Sequence, residues 1–302
     1  MTPPATPVAP PTRRDLVAEL AERLGSSHEA RFVVDEALDR LSGPGHRAPG
    51  ATLDDAVVAE ARALAARRAM GEPLQYVFGH WPFRTLDLVV DPRVLIPRPE
   101  TEQVVEVALG EARRLGPDLV VVDAGTGSGA IALSVATELG PVAVREVWAT
   151  DISSDALAVA RDNHDALSRH AAGPLPPVRL VHGSWLEPLP GRLAGAVGLV
   201  VSNPPYVSAA EWAGLDPEVR AEPHRALVAG PASEGTEGLA DVEAVLLQAL
   251  SWLGRPGTAV VELAPHQAHA AVAVARHLGY DEVRTEPDLA GRPRALVART
   301  GG

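Results

Sequence analysis

The stretch DLVVVDAGTGSGAIALSVATEL, residues 118–139, runs from an apolar segment through a glycine-rich segment into a second apolar segment. The first is rich in valine and short enough for a buried strand, whereas the last has the length and composition of a helix. The glycines between them permit a tight turn and let a ligand approach the backbone closely. A buried strand, a tight turn and a helix in this order predict an α/β fold with a ligand site at the turn.

Strands and helices alternate on both sides of this stretch, from about residue 100 onward. A helix precedes it, and further strands are predicted in REVWATD, PVRLVHGSW, GAVGLVVSNPPY and GTAVVEL and near residues 281–286 and 294–299. Such alternation predicts a mainly parallel sheet, here of seven strands, with helices on both faces. Ligands of such sheets bind at the carboxyl ends of the strands.

The region before the sheet follows a different pattern. Apolar residues recur at helical spacing over residues 13–70, which predicts a small helical domain. Residues 83–95, FRTLDLVVDPRVL, predict a short β-hairpin. We therefore expect a disordered leader (1–12), a helical domain (13–80), a hairpin linker (81–98) and the α/β domain (99–302).

Composition excludes several classes of chemistry. The chain has no cysteine, and all 27 of its basic residues are arginine, so thiolate nucleophiles, cysteine zinc sites and Schiff-base lysines are excluded. A formal net charge of -12 argues against binding the backbone of duplex DNA. No apolar run approaches the roughly 18 residues that cross a bilayer, and the N-terminus lacks an apolar signal core. We expect a cytoplasmic protein.

The glycine turn has the spacing GxGxG, one residue shorter than the GxGxxG of dinucleotide-binding turns. No basic side chain stands beside it for phosphates, so the turn favours a ligand without a pyrophosphate, such as S-adenosylmethionine. A purely structural glycine turn is the alternative. The candidate cofactor-binding residues of the turn are Gly125, Thr126, Gly127, Ser128 and Gly129.

Two later residues are further candidates for binding this cofactor. Asp151 ends the strand that follows the turn, where a carboxylate can accept hydrogen bonds from ribose hydroxyls. Its alternative role is to cap the helix that begins near Ser153. Trp185, after the next strand, either lies against the adenine ring or packs in the core.

The strand that contains GLVVS ends in Asn203, Pro204, Pro205 and Tyr206. The two prolines make this NPPY corner rigid. Beside an S-adenosylmethionine site, NPPY is typical of methyltransferases that act on a planar nitrogen. Asn203 Oδ1 and the Pro204 carbonyl can each accept an N–H of the target and stabilise the positive charge that grows on it, while Tyr206 can stack on the planar group. A turn without chemistry is the alternative, and adenine, guanine and glutamine amides all fit.

Four segments together resemble one family. They are EPLQYVFGHWPF (72–83), VDPRVLIPRPETEQVVE (90–106), DAGTGSGAIALSVA and SNPPYV. From about residue 13 to 299 the chain is similar to the peptide chain release factor glutamine methyltransferases, the HemK-type family. The family implies a Rossmann-like class I methyltransferase domain behind a helical domain that grips a class I release factor. It implies methylation of the glutamine amide in the Gly-Gly-Gln motif of that factor. We expect a monomer without direct contact with nucleic acid or with a membrane.

The resemblance also assigns residues. It places the glycine turn, Asp151, Trp185 and Asn203 at the cofactor, and the NPPY corner at the glutamine. It adds Glu100, Thr101 and Glu222 to the substrate pocket; their alternative is an acidic helix N-terminus and a surface turn. Two features depart from the family: Ser184 stands in place of its usual Asp, and the loop over 229–242 is longer.

The sequence leaves other functions open. A nucleic-acid adenine or guanine N-methyltransferase shares the NPPY corner, but it would want a basic face or a target-recognition region. A cofactor-binding module without catalysis is disfavoured by the intact acceptors of the corner. His266 and His269 are three residues apart on a predicted helix, yet no HExxH or carboxylate pair accompanies them, so we expect no metal site.

Overall fold

The computed structural model describes residues 10–43, 52–230 and 238–301. The chain divides into two compact units, the first ending at Gly79 and the second beginning at His80. Residues 1–9 of the predicted leader and residues 231–237 of the long loop lie outside the described residues. Thr12, at the end of the predicted leader, is the N-cap of the first helix.

The described part of the first unit is helical. Its elements are α1 (Arg13–Leu24), α2 (Ser27–Ser42), α3 (Asp55–Ala69) and the short α4 (Leu74–Phe78). Thr12 and Asp15 begin α1 with a capping box, each side chain accepting the backbone N–H of the other. Leu16 and Leu20 are spaced four residues apart and are both buried, as expected for one face of an amphipathic helix. The periodic apolar pattern of the sequence therefore forms a small core of its own.

The second unit begins with a hairpin, β1 (His80–Phe83) and β2 (Leu86–Val89). The sequence prediction put this hairpin over residues 83–95, which is wrong in its bounds. The chain already reverses at Arg84 and Thr85, because Arg84 adopts a left-handed backbone with φ of 52° and Phe83 pairs with Leu86. The apolar residues that follow Val89 lie outside the strands.

The rest of the second unit supplies a seven-stranded sheet and its helices. The sheet contains β3 (Leu119–Ala124), β4 (Val144–Asp151), β5 (Val178–His182), β6 (Val197–Ser202), β7 (Leu253–Glu262), β8 (Glu282–Pro287) and β9 (Pro293–Thr300). The helices are α5 (Pro99–Leu115), α6 (Ala130–Ala143), α7 (Ser154–His170), α8 (Pro217–Arg220), α9 (His224–Leu227), α10 (Ala240–Trp252) and α11 (Ala268–His277).

The strand order is β5-β4-β3-β6-β7-β9-β8. Neighbouring strands are parallel, except that β9 runs antiparallel to both β7 and β8. The predicted α/β fold with a mainly parallel, seven-stranded sheet is therefore confirmed. The order of the strands along the chain reverses between β3 and β6, and the carboxyl ends of parallel strands at such a point form a crevice.

Both faces of the sheet are covered. Alternate residues of a strand point to opposite faces, so Val121 joins the core beneath α5 and α6, whereas Val120 and Val122 join the core beneath α10 and α11. All six residues of β3 are buried. Burial on both faces explains why this strand reads as a continuous apolar run rather than as an alternating one.

Candidate active site

A cavity of about 550 Å³ lies at the carboxyl ends of β3, β4 and β6. Its wall includes residues 125–128 of the glycine turn together with Asp151, Trp185, Asn203 and Thr101. Residues that are distant in sequence are thus brought to one place, and the volume suits a cofactor-sized molecule. The predicted site residues that lie outside this wall are Gly129, Pro204, Tyr206, Glu100 and Glu222.

The glycine turn depends on backbone conformations that other residues rarely adopt. Gly125 has a φ of 79° and Gly127 a φ of 55°. The N–H groups of Gly125 and Thr126 both donate to the carbonyl of Thr150 at 2.9 Å, which ties the turn to β4. A Cβ on Gly125 would come within 3.0 Å of the Trp185 ring. The turn is therefore a narrow cradle that a side chain would fill.

A buried acid beneath the turn was not identified from the sequence. Asp123 Oδ2 accepts hydrogen bonds from the Thr126 hydroxyl at 2.6 Å and from the Ala132 N–H at 3.0 Å. Asp123 Oδ1 has no hydrogen-bond partner among the described residues. Burial raises the pKa of Asp123 to about 7. The available signal was a carboxylate inside an otherwise apolar strand.

Asp151 links the turn to the start of α7. Its Oδ2 accepts the Gly127 N–H at 2.9 Å, and its Oδ1 accepts the Ser153 N–H at 2.8 Å. The N-cap of α7 is Ser153, whose hydroxyl accepts the Ala156 N–H, so Asp151 is not the cap. Burial raises the pKa of Asp151. Each carboxylate oxygen can accept more than one hydrogen bond, so Asp151 can also accept hydroxyls from the cavity.

Trp185 combines packing with a place in the cavity wall. Its backbone φ of 46° is uncommon for a residue with a side chain. The Thr150 hydroxyl donates to the Trp185 carbonyl at 2.6 Å and so helps to hold this conformation. The ring lines the cavity and also packs against the core beneath α10. Ser184, the departure from the family pattern, lines the cavity beside it.

The NPPY corner follows directly from β6. Asn203 donates from Nδ2 to the Thr101 hydroxyl at 3.2 Å, which leaves its Oδ1 for a ligand. The Tyr206 carbonyl accepts from Gln267 Nε2 at 3.1 Å, and burial raises the pKa of the Tyr206 phenol to about 12. Tyr206 and Pro205 border a small recess that adjoins Asn203. The corner is therefore held at both ends, at Asn203 and at Tyr206.

The other predicted pocket residues have different surroundings. Thr101 is buried in the first turn of α5 and lines the cavity. Glu100 Oε1 lies 3.6 Å from Arg292. The buried Glu222 carboxylate is bound by the Arg98 guanidinium and by a backbone N–H of the segment before α5. Glu222 thus fastens that segment to the chain before α9, while its neighbour in sequence, a proline, lines the cavity.

One carboxamide on α7 joins the hairpin to the glycine turn. Asn163 Oδ1 accepts the Val89 N–H at 2.7 Å, and Asn163 Nδ2 donates to the Ser128 carbonyl at 2.8 Å and to the Val89 carbonyl at 3.1 Å. The sequence offered no signal for this role, because it depends on the hairpin and α7 meeting in space.

Metal ligands are not gathered in the described parts of the chain. Within residues 10–43, 52–230 and 238–301, no group of three or more histidine, aspartate or glutamate side chains could hold an ion. His266 belongs to a short 3₁₀ turn and His269 to α11. No helix among the described residues is long and apolar enough to cross a membrane.

The strand order, with an antiparallel β9 between β7 and β8, and the cavity at the carboxyl edge are those of the class I methyltransferase fold. The chain belongs to the release factor glutamine methyltransferase family. It is 44% identical over 236 residues to a release factor glutamine methyltransferase of Moorella thermoacetica, covering 77% of this chain and 76% of that protein. Its identity to a relative of the same name from Gloeobacter violaceus is 40% over 275 residues, covering 89% of this chain and 87% of that protein. No protein-family model matches the chain.

Proposed function

We propose that this protein transfers a methyl group from S-adenosylmethionine to the side-chain amide nitrogen of the glutamine in the Gly-Gly-Gln motif of class I peptide chain release factors. The observation that carries the proposal is the orientation of Asn203. Its amide nitrogen is bonded to Thr101, so its oxygen is available beside the glycine turn. The names of the relatives support the same substrate.

The cavity residues fit S-adenosylmethionine. Apart from Gly127 and its two chain neighbours, no atom of the described residues lies within 4 Å of the position that a Cβ on Gly127 would take, so the cavity reaches the backbone there. Trp185 adds an aromatic side chain to the same wall. Asp151 can accept ribose hydroxyls, and Asp241 adds a second carboxylate to the wall. Carboxylates suit a cofactor that carries a positive sulfonium. When bound, the cofactor supplies an electrophilic methyl group.

The NPPY corner would orient the target amide. The nitrogen of an amide shares its lone pair with the carbonyl and is a poor nucleophile. Asn203 Oδ1 and the Pro204 carbonyl each accept one N–H, which turns the nitrogen toward the cavity and stabilises the positive charge that develops on it. Tyr206, at the recess beside Asn203, can stack on the planar group. No strong base is needed, because the proton can leave after transfer.

The helical unit, residues up to Gly79, is a candidate for recognising the release factor. It folds around its own core and carries none of the residues of the cavity wall. A substrate protein needs a contact surface beyond one glutamine, because a stable interface buries roughly 800 Å² on each partner. Release factors work on ribosomes, so the cytoplasm is the proposed compartment.

The test is methyl transfer from labelled S-adenosylmethionine in one mixture of release factor, tRNA and DNA. The matched control is the same release factor with the glutamine of its Gly-Gly-Gln motif changed to alanine. We expect label on the wild-type factor and none on the control. Label on tRNA or DNA would instead establish the alternative, a nucleic-acid adenine or guanine N-methyltransferase, which the net charge of -12 disfavours.

A further inference from the structure

Glu262 lies at the same sheet edge as Asn203, although the mechanism above does not use it. In the pairing of β6 with β7, Ser202 lies opposite Val261, so Asn203, which directly follows β6, and Glu262, the last residue of β7, come next in the two chains. The Glu262 side chain is 0% exposed. Neither of its carboxylate oxygens has a hydrogen-bond partner among the described residues.

A carboxylate in such a place is costly. Burial without hydrogen bonds disfavours the charged form, and it raises the pKa of Glu262 to about 7. The charged and titratable groups around it are Arg98 and Glu100 before and at the start of α5, Tyr206 after β6, and Arg294 on β9. A leucine of similar volume would avoid the cost, so the presence of an acid here calls for a reason beyond packing.

Thr101 connects this acid to the NPPY corner. Its hydroxyl accepts the Asn203 Nδ2 hydrogen bond at 3.2 Å. The same hydroxyl lowers the pKa of the Glu262 carboxyl, although no hydrogen bond joins the two groups in the structure. Thr101 is itself buried, so water does not compete freely for it.

When Glu262 is ionised, the three groups have only one consistent arrangement of protons. A carboxylate accepts hydrogen bonds and cannot donate, so a hydroxyl beside it points its single proton toward the carboxylate. The lone pairs of Thr101 then face Asn203. A carboxamide facing lone pairs presents its NH₂ group to them, and its oxygen is left on the other side, toward the cavity.

We propose that Glu262 is a positioning residue that acts through the Thr101 hydroxyl to hold the Asn203 carboxamide with its oxygen toward the target amide. The proposal rests on the proposed function, because Asn203 Oδ1 matters only if a planar N–H group is bound there. Without an ionised Glu262, the Thr101 proton can turn toward Asn203 and the carboxamide can flip, which presents donors to a group that itself donates.

The principal variant is Glu262→Gln, which keeps the shape but can donate as well as accept. We expect kcat for release factor methylation to fall roughly 10- to 100-fold, because the Asn203 carboxamide would no longer be held in the productive orientation. The affinity for the cofactor, measured by calorimetry, should stay within about twofold of wild type. Thr101→Val should lower kcat to a similar extent. Thr101→Ser, which keeps the hydroxyl, should retain most of the activity.

The matched control is Glu111→Gln. Glu111 is also a buried glutamate, but it lies about 15 Å from Thr101 along α5 and is bonded to Arg114, Arg284 and Arg299. This variant removes the charge of a buried glutamate away from the site. Any loss of stability would lower its melting temperature, but its kcat should stay within about twofold of wild type.

Two further readouts separate positioning from packing. The double variant Thr101→Val with Glu262→Gln should be no slower than Thr101→Val alone, because one hydroxyl carries the whole effect. In the wild type kcat should fall as the pH drops through about 7, where Glu262 takes up a proton, and both single variants should lose this part of the profile. The pKa of Asp123 is also about 7, so any effect of its titration on kcat should be the same in the wild type and in both single variants.

The outcomes are distinct. Should the wild type methylate the release factor while Glu262→Gln keeps its kcat within twofold, the positioning role is wrong and the proposed function stands. The positioning role is also wrong if the fold-losses of kcat in the two single variants multiply in the double variant, since Glu262 would then act without Thr101. If Glu262→Gln does not fold, the contrast between Thr101→Ser and Thr101→Val and the loss of the pH 7 step in Thr101→Val decide the question. A wild-type protein that leaves the release factor unlabelled refutes the proposed function itself.

Discussion

Replacing Glu262 by glutamine should make the second unit more stable at alkaline pH while it slows catalysis. The pKa of this glutamate is about 7 in the folded protein against an ordinary value of 4.5. Between these values the folded chain holds a proton that the unfolded chain has released, so the free energy of unfolding falls as the pH rises from about 4.5 to 7. The difference corresponds to about 3 kcal/mol, all of which is lost above pH 7.

Glutamine has no titrating proton, so the variant lacks this fall in the free energy of unfolding. At pH 5 the protonated glutamate and the glutamine are both neutral, so the two proteins should have similar stabilities. At pH 8 the variant should unfold with a free energy about 2–3 kcal/mol higher than that of the wild type. Asp123, whose pKa is also about 7, contributes the same slope to both proteins and cancels from the comparison.

Urea unfolding followed by tryptophan fluorescence suits this measurement. All five tryptophans lie after Gly79, so their signal reports on the second unit without interference from the helical one. Unfolding curves are recorded at pH 5 and pH 8 for the wild type and the variant. The free energies of unfolding are compared with the same dependence on urea concentration for both proteins. An equal pH dependence in the two proteins, or a variant less stable than the wild type at pH 8, would show that Glu262 is not a desolvated acid.

Three further predictions concern the site and the units. Asp151→Ala should weaken S-adenosylmethionine binding by roughly 1.5–3 kcal/mol in calorimetric titration, and unchanged affinity would remove Asp151 from the cofactor site. Asn203→Ala should slow methyl transfer roughly 10²–10³-fold with cofactor binding intact. Asn203→Asp should be as slow, because its carboxylate cannot donate to Thr101. If both variants methylate at the wild-type rate, the NPPY corner has no part in catalysis. A chain without residues 1–79 should bind cofactor but methylate intact release factor poorly, and full activity would assign the helical unit another role.

Local patterns sufficed for the sheet and for the glycine turn. The strand, turn and helix around Gly125 are determined within about twenty consecutive residues, so the sequence predicts them well. Asp151 ends one apolar strand and Asn203 directly follows another, and strand ends of a parallel sheet meet, which is why the sequence predicts both at one cavity.

Residues whose roles depend on distant partners were not predictable in this way. Glu262 also ends a strand, but its significance arises from Thr101, which precedes it by more than 150 residues. Glu222 was expected in the substrate pocket, whereas Arg98 takes up its carboxylate. Such an ion pair forms only where two loops approach each other in space, and residue spacing along the sequence does not indicate that approach.

The hydrogen bonds of Asn163 bear on how this protein can be recombined with its relatives. The hairpin shares that carboxamide with the glycine turn, and its Phe83 and Leu88 side chains are buried in the core of the sheet. Hairpin and sheet therefore belong to one packed unit. A chimaera that exchanges the helical unit should be joined at Gly79, whereas a junction near residue 98 would separate the hairpin from the core in which its side chains are buried.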